Sequence, residues 1–301
     1  MRRAALIYNP TAGRQRHEQE LDAILQALRQ GGFEVEPVPT GGPGEATSLA
    51  RERAGAVEVV FAFGGDGTVR EVAAGLLGTP TMPATSTALG ILPGGTVNLL
   101  AMALGLPSDP VRSAALQGRL ESRLLDVGLV GEAPFLMMVS AGLDSSVLAS
   151  LDTRLKWRFG RAAIAWQGLQ EWWRYPYPRF EVVADGEPFE ASFVSVSNIP
   201  YYGGSFALAP GARHHDGRLD LALFRGGGRR ETAGFVFDLL RGAHARRQDF
   251  TVRHVQEVEL RSPAGAVAQI DGDLCEQRLP ITVRIAPDPL RVLYPVLKGS
   301  P

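Results

Sequence analysis

Short apolar runs alternate with amphipathic segments through the first third of the chain. The runs are rich in β-branched and aromatic residues, as buried parallel strands are. The segments between them carry apolar residues three and four positions apart, which is the spacing of one helix face. Strands that alternate with helices predict a parallel sheet with right-handed crossovers. The predicted strands are Ala4–Tyr8, Phe33–Pro39, Val59–Phe63 and Ala88–Leu92, and the predicted helices are His17–Gln30, Glu45–Ala54, Thr68–Leu77 and Leu99–Leu104.

The pattern changes after about residue 128, where strand-like runs outnumber helices. Several runs alternate polar and apolar residues, the period of a half-exposed antiparallel strand. We therefore predict an α/β nucleotide-binding domain over residues 1–128 and a mostly β domain over residues 129–287. A last run, Leu290–Pro295, is expected to return to the first domain, which residues 288–301 would complete. The predicted strands of the second domain are Phe135–Val139, Arg179–Ala184, Phe189–Ser197, Leu219–Phe224, Phe250–Arg261, Val267–Ile270 and Ile281–Ile285.

Each predicted strand of the first domain ends in a loop that can face one crevice, since open α/β sheets bind ligands at the carboxyl ends of their strands. The clearest loop is Gly64-Gly65-Asp66-Gly67-Thr68, between a buried strand and a helix. Its glycines let main-chain N–H groups approach a ligand, and the helix N-terminus favours phosphate. Asp66 would repel phosphate, so we expect a divalent cation or a bound water between them. The other loops are Asn9–Gly13, Thr40 and Gly94–Asn98.

Composition narrows the class of protein. The net charge of −1 argues against a general nucleic-acid binder, and Cys275, the single cysteine, excludes an internal disulfide and a multi-cysteine metal site. The first ten residues hold too short an apolar run for a signal peptide, and the chain has no uninterrupted apolar run of about 18 residues. We expect a cytoplasmic protein that reaches any lipid substrate by peripheral membrane contact.

Several motifs together resemble the diacylglycerol kinase family, whose bacterial members phosphorylate lipid hydroxyls. They occur in the family's order from Asn9 to about Asp273, which is nearly the whole chain. The resemblance implies a Rossmann-like N-terminal domain, a C-terminal antiparallel β-sandwich and an active site in the cleft between them. Besides the loop at Gly64–Thr68, the motifs are Asn9–Gly13, Leu92–Asn98, Asn198–Gly204, Ala209–Ala212 leading to Asp216–Asp220, and Ile270–Asp273.

The resemblance also implies roles for individual residues. Asp66 would take part in catalysis through Mg²⁺, and Asp273 would be the general base that takes a proton from the lipid hydroxyl. A structural Mg²⁺ would be held by the Asp216 carboxylate and the main-chain carbonyls of Arg213 and Arg218. The positions that match ATP-binding residues of the family are Asn9, Pro10, Thr11, Ala12, Gly13, Thr40, Gly64, Gly65, Asp66, Gly67, Thr68, Val69, Arg70, Thr96 and Asn98.

Two of these motifs also fit ordinary turns. Asp-Gly is among the commonest two-residue hairpin turns, so Asp271-Gly272-Asp273 is typical of a turn as well as of a catalytic acid. The run 215–220 is equally typical of a turn before a strand.

The chain departs from the family at two acidic positions. The family's Asn-Asp pair is Asn98-Leu99 here, which removes one carboxylate from an acidic network linked to water and Mg²⁺ and leaves Asp66 and Asp126 to form it. The family's Asp-Gly-Glu is Asp271-Gly272-Asp273, which shortens the base by one methylene. Either change could alter the lipid substrate, slow turnover or abolish activity.

The stretch Arg154–Arg179 holds all four tryptophans and six basic residues against one acid, Glu171. Such a composition suits the surface of an anionic membrane, but it also suits a helix that packs its tryptophans internally. We therefore predict an ATP- and Mg²⁺-dependent lipid kinase, for which the sequence leaves a homodimer open. The alternatives are a kinase of a soluble metabolite, similar to NAD kinase, and a catalytically weak lipid or nucleotide sensor.

Overall fold

The computed structural model describes residues 1–10, 17–77, 86–150, 161–262 and 266–295. The chain divides into two compact units. The first comprises Met1–Val127 and Ala286–Pro301, and the second comprises Gly128–Ile285. The predicted ATP-binding residues Thr11, Ala12 and Gly13 lie outside the described residues.

The first unit is built on one six-stranded sheet. Its strand order is β2-β1-β3-β4-β20-β5, and the strands β2, β1, β3 and β4 run parallel to one another. The last strand of the chain enters this sheet, where it pairs with β4 and, antiparallel, with β5. The strands are β1 (Arg2–Tyr8), β2 (Phe33–Pro39), β3 (Val59–Gly64), β4 (Ala88–Pro93), β5 (Ser122–Leu125) and β20 (Leu290–Leu293).

Helices pack on this sheet through their apolar faces. On the first helix, Ile24, Leu25 and Leu28 are buried at helical spacing and share a core with Phe33 and Phe61. The rings of Phe33 and Phe61 meet edge to face with centroids 5.0 Å apart. The helices of this unit are α1 (His17–Gln30), α2 (Glu45–Arg53), α3 (Asp66–Leu76), α4 (Leu99–Ala103) and α5 (Pro110–Gln117).

The second unit holds two six-stranded antiparallel sheets, in the orders β10-β9-β16-β19-β6-β7 and β15-β14-β11-β8-β17-β18. One apolar cluster takes residues from both sheets, so the sheets pack as a β-sandwich. The strands of these sheets are β6 (Gly128–Val130), β7 (Ala133–Phe135), β8 (Met138–Ala141), β9 (Phe180–Ala184), β10 (Glu187–Ala191), β11 (Phe193–Ser197), β14 (Leu219–Phe224), β15 (Phe250–Val255), β16 (Glu257–Arg261), β17 (Gln269–Ile270), β18 (Asp273–Leu274) and β19 (Ile281–Ile285).

Helices and a small hairpin surround the sandwich. Phe235 of the last helix stacks on Phe224 at 4.5 Å between ring centroids, which anchors that helix on the second sheet. The helices are α6 (Leu143–Ser150), α7 (Arg161–Arg174) and α8 (Arg229–Leu240), followed by a 3₁₀ turn at His244–Arg246; the hairpin consists of β12 (Tyr201–Tyr202) and β13 (Phe206–Ala207).

The predicted fold class is confirmed, but three long predicted strands are wrong because each is two shorter strands. The run 250–261 changes sheets at Gln256: β15 pairs with β14, whereas β16 pairs with β9 and β19. Asp185 holds this corner, because its carboxylate accepts hydrogen bonds from the N–H groups of Gln256 and Glu257 at 2.9–3.2 Å. The runs 135–139 and 189–197 break in the same way, between β7 and β8 and between β10 and β11.

Candidate functional site

The predicted nucleotide loops meet at the carboxyl edge of the parallel strands. The register pairs Tyr8 with both Pro39 and Phe63, and Gly64 with Pro93, so the four strands end at one level. After β1 the chain places β2 on one side of it and β3 on the other. Such a reversal of strand order opens a crevice above the sheet, where open α/β folds bind their ligands. Asn9 and Pro10, which follow β1, and the loop after β3 flank this crevice.

Two glycine turns pack backbone to backbone at this edge. Gly94 donates its N–H to the Gly64 carbonyl at 2.8 Å. A Cβ on Gly95 would lie 2.5 Å from the Cα of Gly65, and a Cβ on Gly64 would lie 2.6 Å from the Thr68 hydroxyl. A side chain at Gly95 would therefore force the two loops apart, and one at Gly64 would clash with Thr68 in the first turn of α3. The glycines are required here for close approach of the backbone.

Asp66 is held by the backbone of the neighbouring loop. It is the first residue of α3, and its two carboxylate oxygens accept hydrogen bonds from the N–H groups of Leu99 and Leu100 at 3.0 and 3.2 Å. These donors belong to the first turn of α4, where N–H groups have no carbonyl within their own helix. Asp66 therefore caps α4 and joins it to α3. The Leu99 side chain is buried, so residue 99 contacts Asp66 through its N–H group and supplies no carboxylate.

Asn98 has a similar structural role. Its backbone is left-handed (φ 55°), its side-chain carbonyl accepts the Gly95 N–H, and its side-chain amide donates to the Gly95 carbonyl, both at 2.8 Å. This clasp closes the loop 95–98 and leaves Thr96 exposed at its tip. Both polar groups of the Asn98 side chain take part in this clasp. The assignment of Asn98 as an ATP-binding residue stays a prediction.

The remaining predicted nucleotide residues differ in accessibility. Thr40 is buried, and its N–H donates to the Tyr8 carbonyl at 2.8 Å, which ties the ends of β2 and β1. Val69 is also buried, so only its backbone could face a ligand. The other predicted residues that the structure describes, at this same edge, are Asn9, Pro10, Gly65, Gly67, Thr68 and Arg70.

The second acidic motif is a hairpin turn with two unlike aspartates. Asp271 and Gly272 both have positive φ, 51° and 89°, as the two-residue turn between β17 and β18 requires. The Asp271 carboxylate is buried and accepts hydrogen bonds from three N–H groups, those of Leu136, Met137 and Met138, at 2.8–2.9 Å. Asp273 is exposed and begins β18. The turn and catalytic interpretations are therefore compatible, because Asp271 anchors the turn that presents Asp273.

The predicted structural metal site lies in an exposed loop. Arg213, Asp216 and Arg218 are all exposed, and one Asp216 oxygen accepts the Arg218 N–H at 3.1 Å. A carboxylate with two main-chain carbonyls is an all-oxygen donor set of the kind that Mg²⁺ prefers, so these residues fit the ion chemically. Among the residues that the structure describes, no cluster of three or more His, Cys, Asp or Glu side chains is arranged to hold a metal ion.

Buried titratable groups lie beside this loop. Burial raises the pKa of Asp220 to about 6, an effect that His254 opposes and the Asp216 charge increases. Burial, with the charge of His215, lowers the pKa of His214 to about 4. The negative charge of Asp216 therefore acts on its surroundings as well as on any cation bound there.

The catalytic Mg²⁺ that the resemblance implies would have a different environment. Both Asp66 oxygens already accept N–H groups, but each keeps a second lone pair. Each Asp66 oxygen therefore has room for one further partner, such as a water bound to Mg²⁺. Asp126 follows β5 immediately, and its charge acts on the Tyr294 hydroxyl.

Two helices of the second unit expose apolar side chains. On α7, Trp166, Leu169 and Trp173 are exposed at the spacing of one helix face. On α8 the exposed apolar residues are Val236, Phe237 and Leu240. The helices touch, because Trp172 donates to the Arg229 carbonyl at 3.2 Å and the Arg229 guanidinium lies 4.4 Å from the centre of the Trp173 ring. Among the described residues, no helix is both long and apolar enough to cross a bilayer.

Comparison with known families and proteins follows the same division. Residues 3–130 match the diacylglycerol kinase catalytic domain, and residues 137–294 match the YegS C-terminal NAD kinase beta sandwich-like domain. A Bacillus subtilis protein named "Diacylglycerol kinase" is 30% identical over 91% of this chain and 90% of its own length. A Pseudomonas aeruginosa protein named "Probable lipid kinase YegS-like" is 31% identical over 96% of this chain and 93% of its own.

A solved structure shows the same fold. The crystal structure of a diacylglycerol kinase from Bacillus anthracis superposes with a TM-score of 0.78 and 23% identity, and covers 98% of each chain. The match to the diacylglycerol kinase catalytic domain and the kinase relatives that cover nearly the whole chain define the protein as a phosphotransferase with an alcohol group as acceptor. It belongs to the diacylglycerol kinase family of lipid kinases, and membership in a kinase family implies ATP as the phosphoryl donor.

Proposed function

We propose that this protein transfers the γ-phosphoryl group of ATP to a hydroxyl of a diacylglycerol-like, sphingoid or glycerolipid substrate, with Mg²⁺ and with Asp273 as the general base. The observation that carries the proposal is the pair of differently built acidic turns. In one turn, Asp66 joins the segments that follow β3 and β4; in the other, the buried Asp271 anchors a turn that exposes the Asp273 carboxylate.

On the nucleotide side of the mechanism, the role of the chain is to position ATP. The loops at Asn9, Thr40, Gly64–Thr68 and Thr96 bring main-chain N–H groups and hydroxyls to one edge of the sheet, where the N-terminus of α3 also favours the phosphates. Mg²⁺ would neutralise charge on the phosphate oxygens, linked to Asp66 through water.

The acceptor side is a proton transfer. The Asp273 carboxylate takes the proton of the lipid hydroxyl while the oxygen of that hydroxyl forms a bond to the γ-phosphorus. The bond between that phosphorus and the oxygen bridging to the β-phosphate breaks, and ADP leaves. The shorter side chain of Asp273, compared with glutamate, places greater demands on the position of the turn.

A panel of lipids tests the proposal. Incubation with γ-labelled ATP and Mg²⁺ should yield a labelled phospholipid, identified by mass spectrometry, from at least one lipid of the three classes. The same reaction with EDTA should yield none. Transfer of the label to NAD⁺ but to no lipid would overturn the proposal in favour of a soluble-metabolite kinase. ATP binding without any labelled product would overturn it in favour of a sensor.

We further propose that the exposed face of α7 and α8 contacts an anionic membrane. Basic and amphipathic aromatic side chains suit the headgroup region, and Arg174, Arg229, Arg230 and Arg241 are exposed along these helices. The tryptophans differ in exposure. Trp172 is half-buried, as internal packing predicts, whereas Trp166 and Trp173 are exposed, as membrane contact predicts. Trp157 lies outside the described residues.

Vesicle co-sedimentation tests this contact. Trp173→Ser should reduce binding to phosphatidylglycerol vesicles, and wild type should bind phosphatidylcholine vesicles more weakly because binding includes a charge term. Leu124→Ser is the matched control, since Leu124 is similarly exposed but lies in the first unit. Equal loss in both variants would contradict the proposed surface.

A further inference from the structure

The buried side of the hairpin that carries Asp273 contains a second polar connection. Gln269 is 6% exposed and lies two residues before the turn, in β17. Its side-chain carbonyl accepts the N–H of Gly272 at 2.7 Å, and Gly272 is the residue immediately before Asp273. One side chain is therefore bonded directly to the backbone of the residue that precedes the proposed base.

The other end of Gln269 is fixed as well. Its amide donates to the Ser140 hydroxyl oxygen at 2.7 Å, and Ser140 lies opposite Gln269 on the paired strand β8. Because the carbonyl end must accept a backbone N–H, the amide end must face Ser140, and the orientation of the side chain is determined.

Ser140 continues the connection into the interior. Its hydroxyl donates to the Asp144 carboxylate, which also accepts the hydroxyl of Tyr202. Both donors reach the same oxygen of Asp144, on helix α6. The Gly272 N–H, Gln269, Ser140 and Asp144 thus form a chain in which every donor points the same way, and such chains strengthen their members.

The buried carboxylate at the end of the chain is otherwise unexplained. Burial raises the pKa of Asp144, and the hydrogen bonds from Ser140 and Tyr202 oppose that shift. Nothing in the proposed phosphoryl transfer uses Asp144, although a buried carboxyl is costly to retain. The position of Asp144 gives a reason for this buried carboxyl. Because Asp144 accepts the hydrogen bond of the Ser140 hydroxyl, the Ser140 oxygen can accept one from the Gln269 amide.

We propose that Gln269 is a positioning residue for the general base, and that Ser140 and Asp144 hold Gln269 in its bonded orientation. The inference rests on the proposed role of Asp273. It concerns the placement of that carboxylate on the lipid hydroxyl, where an error of about 1 Å can cost about 100-fold in rate. The shorter acid at position 273 makes this placement more important than it is for a glutamate.

Gln269→Met tests the proposal, because methionine keeps the length of the side chain and removes both hydrogen bonds. We expect kcat for lipid phosphorylation to fall about tenfold to 100-fold, with the KM for ATP unchanged. Ser140→Ala should have a smaller effect in the same direction, since the bond from Gly272 to Gln269 remains. Gln117→Met is the matched control: Gln117 is a buried glutamine in the first unit, and kcat should stay within about threefold of wild type.

A double-mutant cycle separates positioning from general damage. If Gln269 acts through Asp273, adding Gln269→Met to Asp273→Asn should cost less than about twofold in kcat, because the group to be positioned is already absent. A full multiplicative loss in the double variant would overturn the proposal. So would wild-type kcat in Gln269→Met.

Amide hydrogen exchange gives a readout that needs no activity. Gly272 is exposed, but its N–H is bonded to Gln269, so its exchange should be slow in wild type and fast in folded Gln269→Met. Unchanged exchange would overturn the inference. Full activity of Asp273→Asn would instead remove the proposed general base, so the two failures are distinguishable.

Discussion

The two acidic glycine turns of this protein use their carboxylates in opposite ways. Both Asp66 oxygens accept hydrogen bonds from N–H groups of the adjacent helix α4. The hairpin at 271–273 carries two aspartates that differ, because Asp271 takes all three structural hydrogen bonds and Asp273 stays exposed. An aspartate beside a glycine is therefore an anchor or an exposed acid according to which N–H groups it meets.

The largest effect on stability is expected at Asp271. Asp271→Ala would leave three buried N–H groups without their acceptor, and we expect a loss of about 3 to 5 kcal/mol in the free energy of unfolding. Urea unfolding followed by circular dichroism measures it. A loss below about 1 kcal/mol would mean that water replaces the carboxylate and that Asp271 is not the anchor.

A charge at Leu99 tests what the chain lacks at the Asp66 loop. Leu99→Asp restores the family's Asn-Asp pair at a buried position, and without metal we expect a loss of about 2 to 4 kcal/mol in the free energy of unfolding. Mg²⁺ should recover part of that loss and raise the Tm of the variant more than that of wild type. Leu99→Asn, with a similar shape and no charge, is the control. Equal Mg²⁺ responses in all three proteins would contradict an acidic, magnesium-linked network at this loop.

Removing the cap itself should cost less. Asp66→Ala deletes two hydrogen bonds to the N-terminus of α4, for which we expect a loss of about 1 to 2 kcal/mol. Asp109→Ala provides a comparison, because Asp109 caps α5 through the Arg112 N–H at 2.8 Å, away from the glycine loops. Similar stability losses with ATP binding weakened only in Asp66→Ala would place the nucleotide at the Asp66 loop, whereas equal ATP binding would contradict that placement.

The smallest effect is a pH dependence at Asp144. Burial raises the pKa of Asp144 above its ordinary value of 3.8, so the folded protein binds this proton more tightly than the unfolded chain does. Its contribution to stability is therefore greatest at low pH and falls as pH rises from about 4 toward the raised pKa, by at most about 1.4 kcal/mol per pH unit. Asp144→Asn should abolish this slope. Parallel stability curves for the two proteins between pH 4 and 7 would contradict the shift.

Periodicity predicts the architecture well because both units bury strands with regular patterns. Periodicity fails where the chain passes from one sheet of the sandwich to the other. Val255 and Val258 are both buried with two polar residues between them, a break in the period of two that marks the change of sheet at Gln256. That signal is present in the sequence, but Asp185, which holds the corner from 71 residues away, is not identifiable from it.

The candidate site shows the same limit. The glycines and aspartates stand out because their spacing is unusual, so the loops at Gly64–Thr68 and Asp271–Asp273 are found from sequence alone. Their division into anchor and exposed acid depends on N–H groups of Leu136 and Leu99, residues with no chemistry of their own. Gln269 was missed because a single glutamine in a short strand carries no periodic or compositional signal.

If the hairpin separates anchoring by Asp271 from the proposed catalysis by Asp273, then Asp273→Asn should change activity and leave stability unchanged. Because Asp273 is exposed, the free energy of unfolding should stay within about 0.5 kcal/mol of wild type, and ATP binding by calorimetry should be unchanged. The kcat for phosphorylation of the best lipid should fall at least about 100-fold. A variant of wild-type stability that still phosphorylates lipid at the wild-type rate would contradict a catalytic role for Asp273.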